Sequence, residues 1–210
     1  TATPEDRARD QRRARLFEAL EAAAGWFAAR LHAPDGESGL AYLRQRGLSD
    51  DSIARFGLGW APEHGGLRAA LPGGRYPEAL LLEAGLLFRR EDGSTRDLFR
   101  GRVTFPIHDR RGRVIGFGAR TLGDDQPKYL NSPQTPLFEK GGTLYGLAIA
   151  REGIGKVGRA VLVEGYLDVI AAHQAGVDQA VAPLGTAVTE RQLDLLWRIA
   201  PDVVACLDGD

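Results

Sequence analysis

Apolar positions in the first part of the chain recur at helical spacing. Leu16, Leu20, Ala24, Phe27 and Leu31 repeat every three or four residues with Arg, Asp and Glu between them. That period predicts one long amphipathic helix over residues 4–32. His32-Ala33-Pro34-Asp35-Gly36 predicts a loop, a second helix over about 37–46 ends at Gly47, and Ser49-Asp50 opens a short third one through Arg55. This helical head ends near Trp60-Ala61-Pro62, and a further short helix around 76–84 stops at Gly85.

Beyond Gly85 the period shortens. Arg102-Val103-Thr104-Phe105-Pro106-Ile107 is strand-like, Asp109-Arg110-Arg111-Gly112 is a turn, and residues 113–120 read as the return strand of a hairpin. Residues 121–142, with three prolines and three glycines, are loop-rich. In the last third, Ala160-Val161-Leu162-Val163 is the continuous apolar run of a strand buried on both faces. A helix from about Tyr166 to Ala175 ends at Gly176, and a second buried strand covers 179–184. Thr189-Glu190-Arg191-Gln192 is a capping box opening a helix to about Ile199, and 203–207 is a third buried strand. Strand-helix-strand-helix-strand predicts a parallel α/β sheet. No internal repeat or low-complexity segment interrupts the pattern.

Composition narrows the class. With 210 residues, 43% hydrophobic and 26% charged, the chain suits one or two globular domains. No apolar run approaches the roughly 20 residues that span a bilayer, and the charged first twenty residues are not a secretory leader. The single cysteine, Cys206, rules out a disulfide framework or a multi-cysteine zinc site in this stretch and suits a reducing cytoplasm. The chain has no methionine and ends on a strand-like run, so a longer parent protein is expected. Net charge is −1, but residues 86–156 hold 13 Lys and Arg against 8 Asp and Glu, whereas 157–210 hold 3 against 8. A basic stretch feeding an acidic one suits a site that binds a polyanion and uses a metal, although chance asymmetry on solvated surfaces gives the same sums.

The acids are placed where such a site would need them. Ligands of open parallel α/β sheets gather at the carboxyl ends of the strands. The first parallel strand runs into Glu164-Gly165-Tyr166-Leu167-Asp168 and the third into Asp208-Gly209-Asp210. Alternation puts Asp208 and Asp210 on one side of an extended chain. Asp168 follows Glu164 by one helical turn and can point at the same place. Clustered carboxylates of this kind suit Mg²⁺ or Mn²⁺, and such ions activate a hydroxyl and neutralise a phosphoryl centre. The plain alternative is that these are loop acids and helix N-caps.

Glu164-Gly-Tyr-Leu-Asp168 followed by Asp208-Gly-Asp210 resembles the Toprim domain of topoisomerases, bacterial primases and some nucleases. Phe105-Pro-Ile-His-Asp-Arg-Arg-Gly-Arg-Val-Ile-Gly-Phe-Gly-Ala-Arg120, Pro127-Lys-Tyr-Leu-Asn-Ser-Pro133 and Leu137-Phe-Glu-Lys-Gly141 before Leu144-Tyr-Gly-Leu147 resemble the bacterial DnaG-type primases. So do Tyr42-Leu-Arg-Gln-Arg-Gly-Leu-Ser49 and Ile53-Ala-Arg-Phe56; the resemblance covers roughly residues 40–210. It implies an α/β fold with a helical head over 1–60, a mixed α/β basic subdomain over 61–157, and the first half of a Toprim parallel sheet over 158–210.

By matched position Glu164, Asp168, Asp208 and Asp210 would form the metal site, with Glu164, Asp208 and Asp210 catalytic and Glu164 the general base or a metal ligand. Arg46, Arg120, Lys128 and Lys140 would face template and nucleotide phosphates, with Tyr129, Asn131 and Tyr166 as further nucleotide contacts. The implied enzyme is a nucleotidyltransferase that uses two divalent ions to make RNA primers from ribonucleoside triphosphates on single-stranded DNA. It would act in the bacterial cytoplasm at the nucleoid. A zinc-binding domain, a helicase-contacting C-terminal domain and further Toprim acids would lie outside these residues, so the chain by itself is expected not to synthesise primers. Rival readings are a Toprim nuclease or topoisomerase, and a module that only binds single-stranded DNA. Arg46 could merely be a helix C-terminal charge favoured by the dipole. Arg110, Arg111 and Arg113 read as solvated turn residues, His108 and His173 as structural, and Trp60 and Trp197 as core.

Overall fold

The computed structural model describes residues 3–207. The first helix, α1 (Pro4–Leu31), begins at a capping box in which Thr3 and Asp6 satisfy each other's backbone N–H. Its amino-terminal half is exposed, and its later turns bury Leu16, Leu20, Ala23, Phe27 and Leu31. Helices α2 (Glu37–Gln45) and α3 (Asp50–Arg55) follow, the latter capped by Ser49 accepting from the Ser52 N–H.

The chain then enters strand β1 (Gly59–Ala61), short helices α4 (Leu67–Ala70) and α5 (Glu78–Glu83), and a small hairpin of β2 (Leu87–Arg89) and β3 (Thr95–Asp97). Asp97, nearly buried, accepts from the Gly66 and Leu67 N–H groups at 2.6 and 2.9 Å and so fixes the start of α4. Strands β4 (Arg102–His108), β5 (Val114–Thr121) and β6 (Tyr129–Asn131) complete an antiparallel sheet in the order β1-β4-β5-β6. Pro106 is tolerated inside β4 because β1 pairs only with residues 102–104, so Pro106 has no partner on that side to lack an N–H for. The helix α1 lies across β1 and β5, with the Phe27 ring set edge-on to Phe99 and Phe117. A Cβ at Gly59 would stand 2.6 Å from the Phe27 backbone, so only glycine lets helix and strand approach this closely.

Helix α6 (Leu147–Val157), which the apolar pattern did not reveal, ends at Gly158 in a left-handed conformation and leads into β7 (Arg159–Leu162). Helix α7 (Tyr166–Gln174), strand β8 (Ala180–Val181), helix α8 (Glu190–Trp197) and strand β9 (Asp202–Ala205) follow. The strands form a parallel sheet in the order β8-β7-β9. The expected second strand is therefore shorter, since Ala182 leaves the parallel ladder to pair with Tyr145.

Two expectations of burial are corrected. Among the described residues strand β9 stands at the edge of the sheet, and its residues are exposed or half-exposed rather than buried. Trp197 is 59% exposed rather than core: α8 buries Gln192 and Leu196, and the indole sits at the helix's last residue off that face. Trp60, by contrast, is buried.

Candidate metal and nucleic-acid site

At the carboxyl end of β7 the backbone turns through Glu164-Gly165 into α7, the placement expected for ligand-facing residues of a parallel sheet. Asp168, at the third position of α7, accepts from the Gly165 N–H at 3.0 Å and thus caps its own helix. Capping engages one carboxylate oxygen and holds the group at the helix entrance. Glu164 and Asp168 line one cleft of about 250 Å³ together with Tyr129, Asn131, Tyr166 and Pro183. Glu164 and Pro183 also line a second groove of about 620 Å³ that reaches Leu207. Among the described residues no group of three His, Cys, Asp or Glu side chains gathers to hold a metal. Asp208 and Asp210 lie outside the described residues.

The back wall of the cleft joins the two sheets. Tyr166 is 4% exposed, stacked on Phe105 with ring centres 5.0 Å apart and set edge-on to Tyr145 at 4.6 Å. Its hydroxyl donates to Asn131 Oδ1, while Asn131 Nδ2 donates to the Leu184 carbonyl at 3.1 Å. Burial pushes the Tyr166 phenol well above its ordinary range, and the nearby Tyr129 pushes it the same way. It therefore remains a neutral donor. The ring occupies space that exists only because residue 118 is glycine: a Cβ there would overlap Tyr166 Cζ and come within 2.6 Å of its Cε2.

The cations stand on the antiparallel side. Arg120, on β5 opposite Tyr129 of β6, has its guanidinium carbon 4.6 Å from the Tyr42 ring centre and 5.7 Å from that of Tyr129. Its Nη1 donates to the Thr121 carbonyl at 2.9 Å. Arg46 ends α2 at its C-cap, and its charge, after that of Arg120, opposes the rise that burial imposes on the Tyr42 phenol. Lys128 is exposed just before β6, where its carbonyl accepts from the buried Arg102 at 3.3 Å. Lys140 stands apart on a short 3-10 turn, its carbonyl held by Gln192 of α8. Ten other arginines join ion pairs, among them Arg12 with Glu83 and Arg44 with Asp50, whereas Arg46, Arg120, Lys128 and Lys140 join none among the described residues.

Of the turn residues, Arg110 and Arg111 are exposed, but Arg113 is more than solvated. It makes two bonds to Asp109 and lies 3.8 Å over the Phe17 ring. His173 is buried, with Nε2 donating to the Ala180 carbonyl at 2.9 Å, in keeping with a structural role. Three contacts of the site have no local sequence signal: Tyr42 beside Arg120, Gly118 as the seat of Tyr166, and Arg102 as the anchor of the Lys128 backbone. Each depends on strand register or helix placement that no local signal carries.

Comparison with known proteins shows the family. Residues 26–151 match the family described as DNA primase catalytic core, N-terminal domain, and residues 161–210 match the Toprim-like family. The chain belongs to the DNA primase catalytic-core family. It is 47% identical over 205 residues to the DNA primase of Synechococcus elongatus, covering 95% of this chain and 30% of that protein. It is 45% identical over 197 residues to the DNA primase of Escherichia coli K12, covering 93% and 34%. The chain thus spans about a third of the length of these curated primases. Among solved structures, it matches a DnaG primase catalytic domain bound to single-stranded DNA with a TM-score of 0.85 and 42% identity, over 96% of this chain and 63% of that one. The RNA polymerase domain of Mycobacterium tuberculosis primase DnaG, in complex with double-stranded DNA carrying a 6-nucleotide overhang, matches with a TM-score of 0.89 and 36% identity, over 94% and 64%. The primase core therefore supplies both halves seen here, a mixed helical and antiparallel part and a small parallel Toprim sheet. No described helix is long and apolar enough to cross a membrane.

Proposed function

We propose that the chain is the template- and metal-handling part of a primase that joins ribonucleotides into short RNA primers on single-stranded DNA. The observation that carries this reading is the shared cleft: Glu164 and Asp168 from the parallel sheet line it with Tyr129 and Asn131 from the antiparallel sheet, and Arg120 packs on Tyr129. Acids in a cleft with a guanidinium packed behind one of its walls suit a nucleotide whose phosphates are held by cations while its reacting end meets carboxylates.

Hard carboxylate oxygens fit Mg²⁺ or Mn²⁺, and Glu164 and Asp168, joined by Asp208 and Asp210, would hold the ions. Such ions, when bound, offset negative charge at the phosphoryl centre and favour the ionised attacking hydroxyl. The chain's own residues do the rest. Glu164 is the candidate acceptor of the proton of the attacking hydroxyl. Arg46, Arg120, Lys128 and Lys140 hold template and triphosphate charges, and Tyr129, 40% exposed, offers a ring face to a base. Asn131 and Tyr166 shape the floor of the cleft. The buried, neutral Tyr166 hydroxyl is committed to Asn131, which disfavours it as the nucleophile a Tyr-dependent topoisomerase would need. Ribonucleoside triphosphates and single-stranded DNA are the proposed partners, with a replicative helicase engaged through a domain beyond these residues. The 210-residue chain alone is proposed to bind without polymerising.

The test follows labelled ribonucleotide incorporation on single-stranded DNA by the intact polypeptide with Mg²⁺. Template-dependent RNA that disappears in Glu164→Gln supports the reading. Nicked template without RNA would instead indicate a Toprim nuclease, and intact DNA without RNA would leave only a binding module.

A further inference from the structure

Arg120 is gripped more tightly than a surface arginine needs to be. Its guanidinium carbon lies 4.6 Å from the centre of the Tyr42 ring and 5.7 Å from that of Tyr129, and its Nη1 is tied to the Thr121 carbonyl. Tyr129 sits on the rim of the cleft and is 40% exposed, but Tyr42 projects from α2 and is only partly exposed. The Tyr42 hydroxyl is buried with no hydrogen-bond partner. A buried hydroxyl without a partner is a net loss to the fold, so what Tyr42 contributes must come from its ring. An arginine stacked on an aromatic face keeps its edge donors in one plane and loses less freedom when it binds a phosphate.

We propose that Tyr42 is a positioning residue that presents Arg120 to a nucleic-acid phosphate by stacking on its guanidinium. The inference rests on the reading of the cleft as a nucleic-acid site and extends it to a helix that does not line that cleft. It requires the ring of residue 42 and not its hydroxyl.

The experiment titrates the 210-residue chain with a fluorescent single-stranded oligodeoxynucleotide over a range of salt concentrations. Tyr42→Phe should match the unsubstituted chain. Tyr42→Leu should weaken binding about fivefold at low salt, the size of a lost cation–π contact. It should also flatten the plot of log affinity against log salt by up to about 0.7, the share of one phosphate contact on a single strand. Arg120→Ala should do the same, and the double variant should be no weaker than Arg120→Ala alone, since both remove one presented charge. A purely structural role for Tyr42 would leave the slope unchanged. Tyr42→Met, which keeps apolar bulk without a ring face, replaces Tyr42→Leu if the latter does not fold. Wild-type affinity and slope in the ring-less variants, or full additivity with Arg120→Ala, would overturn the proposal. If the unsubstituted chain shows no salt-dependent binding, or Arg120→Ala binds as it does, the nucleic-acid reading of Arg120 fails and the inference falls with it.

Discussion

Replacing Gly118 with alanine tests the packing of the seam between the two sheets. The added methyl would lie within 2.6 Å of Tyr166 Cε2 and overlap Cζ and the hydroxyl. Carbon atoms pack best at about 3.5–4.0 Å, so the ring must retreat by roughly 1 Å. It has nowhere to go: Phe105 is stacked on it, Tyr145 meets it edge-on, and its hydroxyl is bonded to Asn131. Overpacking of this kind costs about 1–3 kcal/mol. A buried hydroxyl pulled from its partner adds about 1–3 kcal/mol. The expected loss is therefore about 2–6 kcal/mol, a large part of the roughly 5–15 kcal/mol that holds a domain folded. With a urea slope of about 2 kcal/mol per molar, the unfolding midpoint should fall by roughly 1–3 M. Tyr166→Phe should not relieve the clash, because Cζ is itself overlapped, whereas Tyr166→Leu in the same chain should recover part of the loss. A Gly118→Ala midpoint within about 0.3 M of the parent would refute the packing argument.

Three other outcomes are expected. In the intact polypeptide, Glu164→Gln should lower ribonucleotide incorporation by at least about a hundredfold while leaving single-strand affinity within about twofold; equal incorporation rates would remove Glu164 from the site. Lys128→Ala should weaken single-strand binding and lower the magnitude of its salt slope by about 0.7, with no change of slope placing Lys128 outside the contact. Burial holds His173 and His108 below their ordinary value; for His173 the Ala180 carbonyl and Asp178 oppose the shift and Arg55 adds to it, and for His108 Glu21 and Asp109 oppose it. The unfolded chain then binds protons that the folded one refuses, so stability is full above about pH 6.5 and falls as pH drops below it. Urea midpoints at pH 7.5 and 5.5 measure this, and His173→Gln should reduce the difference; a midpoint that rises on acidification would contradict it.

How much of this was legible in the sequence depends on how local each feature is. The helix α1 and the β4–β5 hairpin follow from apolar period and turn residues, and they fall within a residue or two of expectation. The parallel order of β7, β8 and β9 follows from the strand-helix alternation. Helix α6 escaped because its sequence, Leu-Ala-Ile-Ala-Arg-Glu-Gly-Ile-Gly-Lys-Val, carries two glycines that dilute its signal, and tertiary packing of Leu147, Ala150 and Ile154 outweighs them. Trp197 was misplaced because an apolar residue at a helix end can fall off the buried stripe, and only the packing partner decides which side it takes. That Glu164 and Asp168 share one cleft was legible because both lie on one strand-to-helix turn. The contacts of Arg120 with Tyr42 and of Asn131 with Leu184 join residues 78 and 53 positions apart, and no window of sequence contains them.

The division of labour between the two sheets explains why the cleft can hold its charges ready. At the cleft itself the antiparallel part meets the parallel part through uncharged contacts: the Tyr166 ring in the slot left by Gly118, the Asn131 bridge to Leu184, and the Tyr145–Ala182 backbone pairing. The ion pairs that do cross between the parts, Glu139 with Arg191 and Arg55 with Asp178, use none of Arg46, Arg120, Lys128 and Lys140. Further ion pairs lie within one part, such as Arg12 with Glu83, Arg75 with Glu18 and Arg159 with Asp202. Those surface pairs add little to stability. Arg46, Arg120 and Lys128, by contrast, join no ion pair among the described residues, while aromatic stacking and backbone bonds set where Arg120 and Lys128 stand, as the proposed role in holding phosphates requires. It follows that neutral substitutions in the Asn131–Tyr166 seam should disturb stability and the spacing of acids from cations together. Removing a cation at the rim should disturb binding alone.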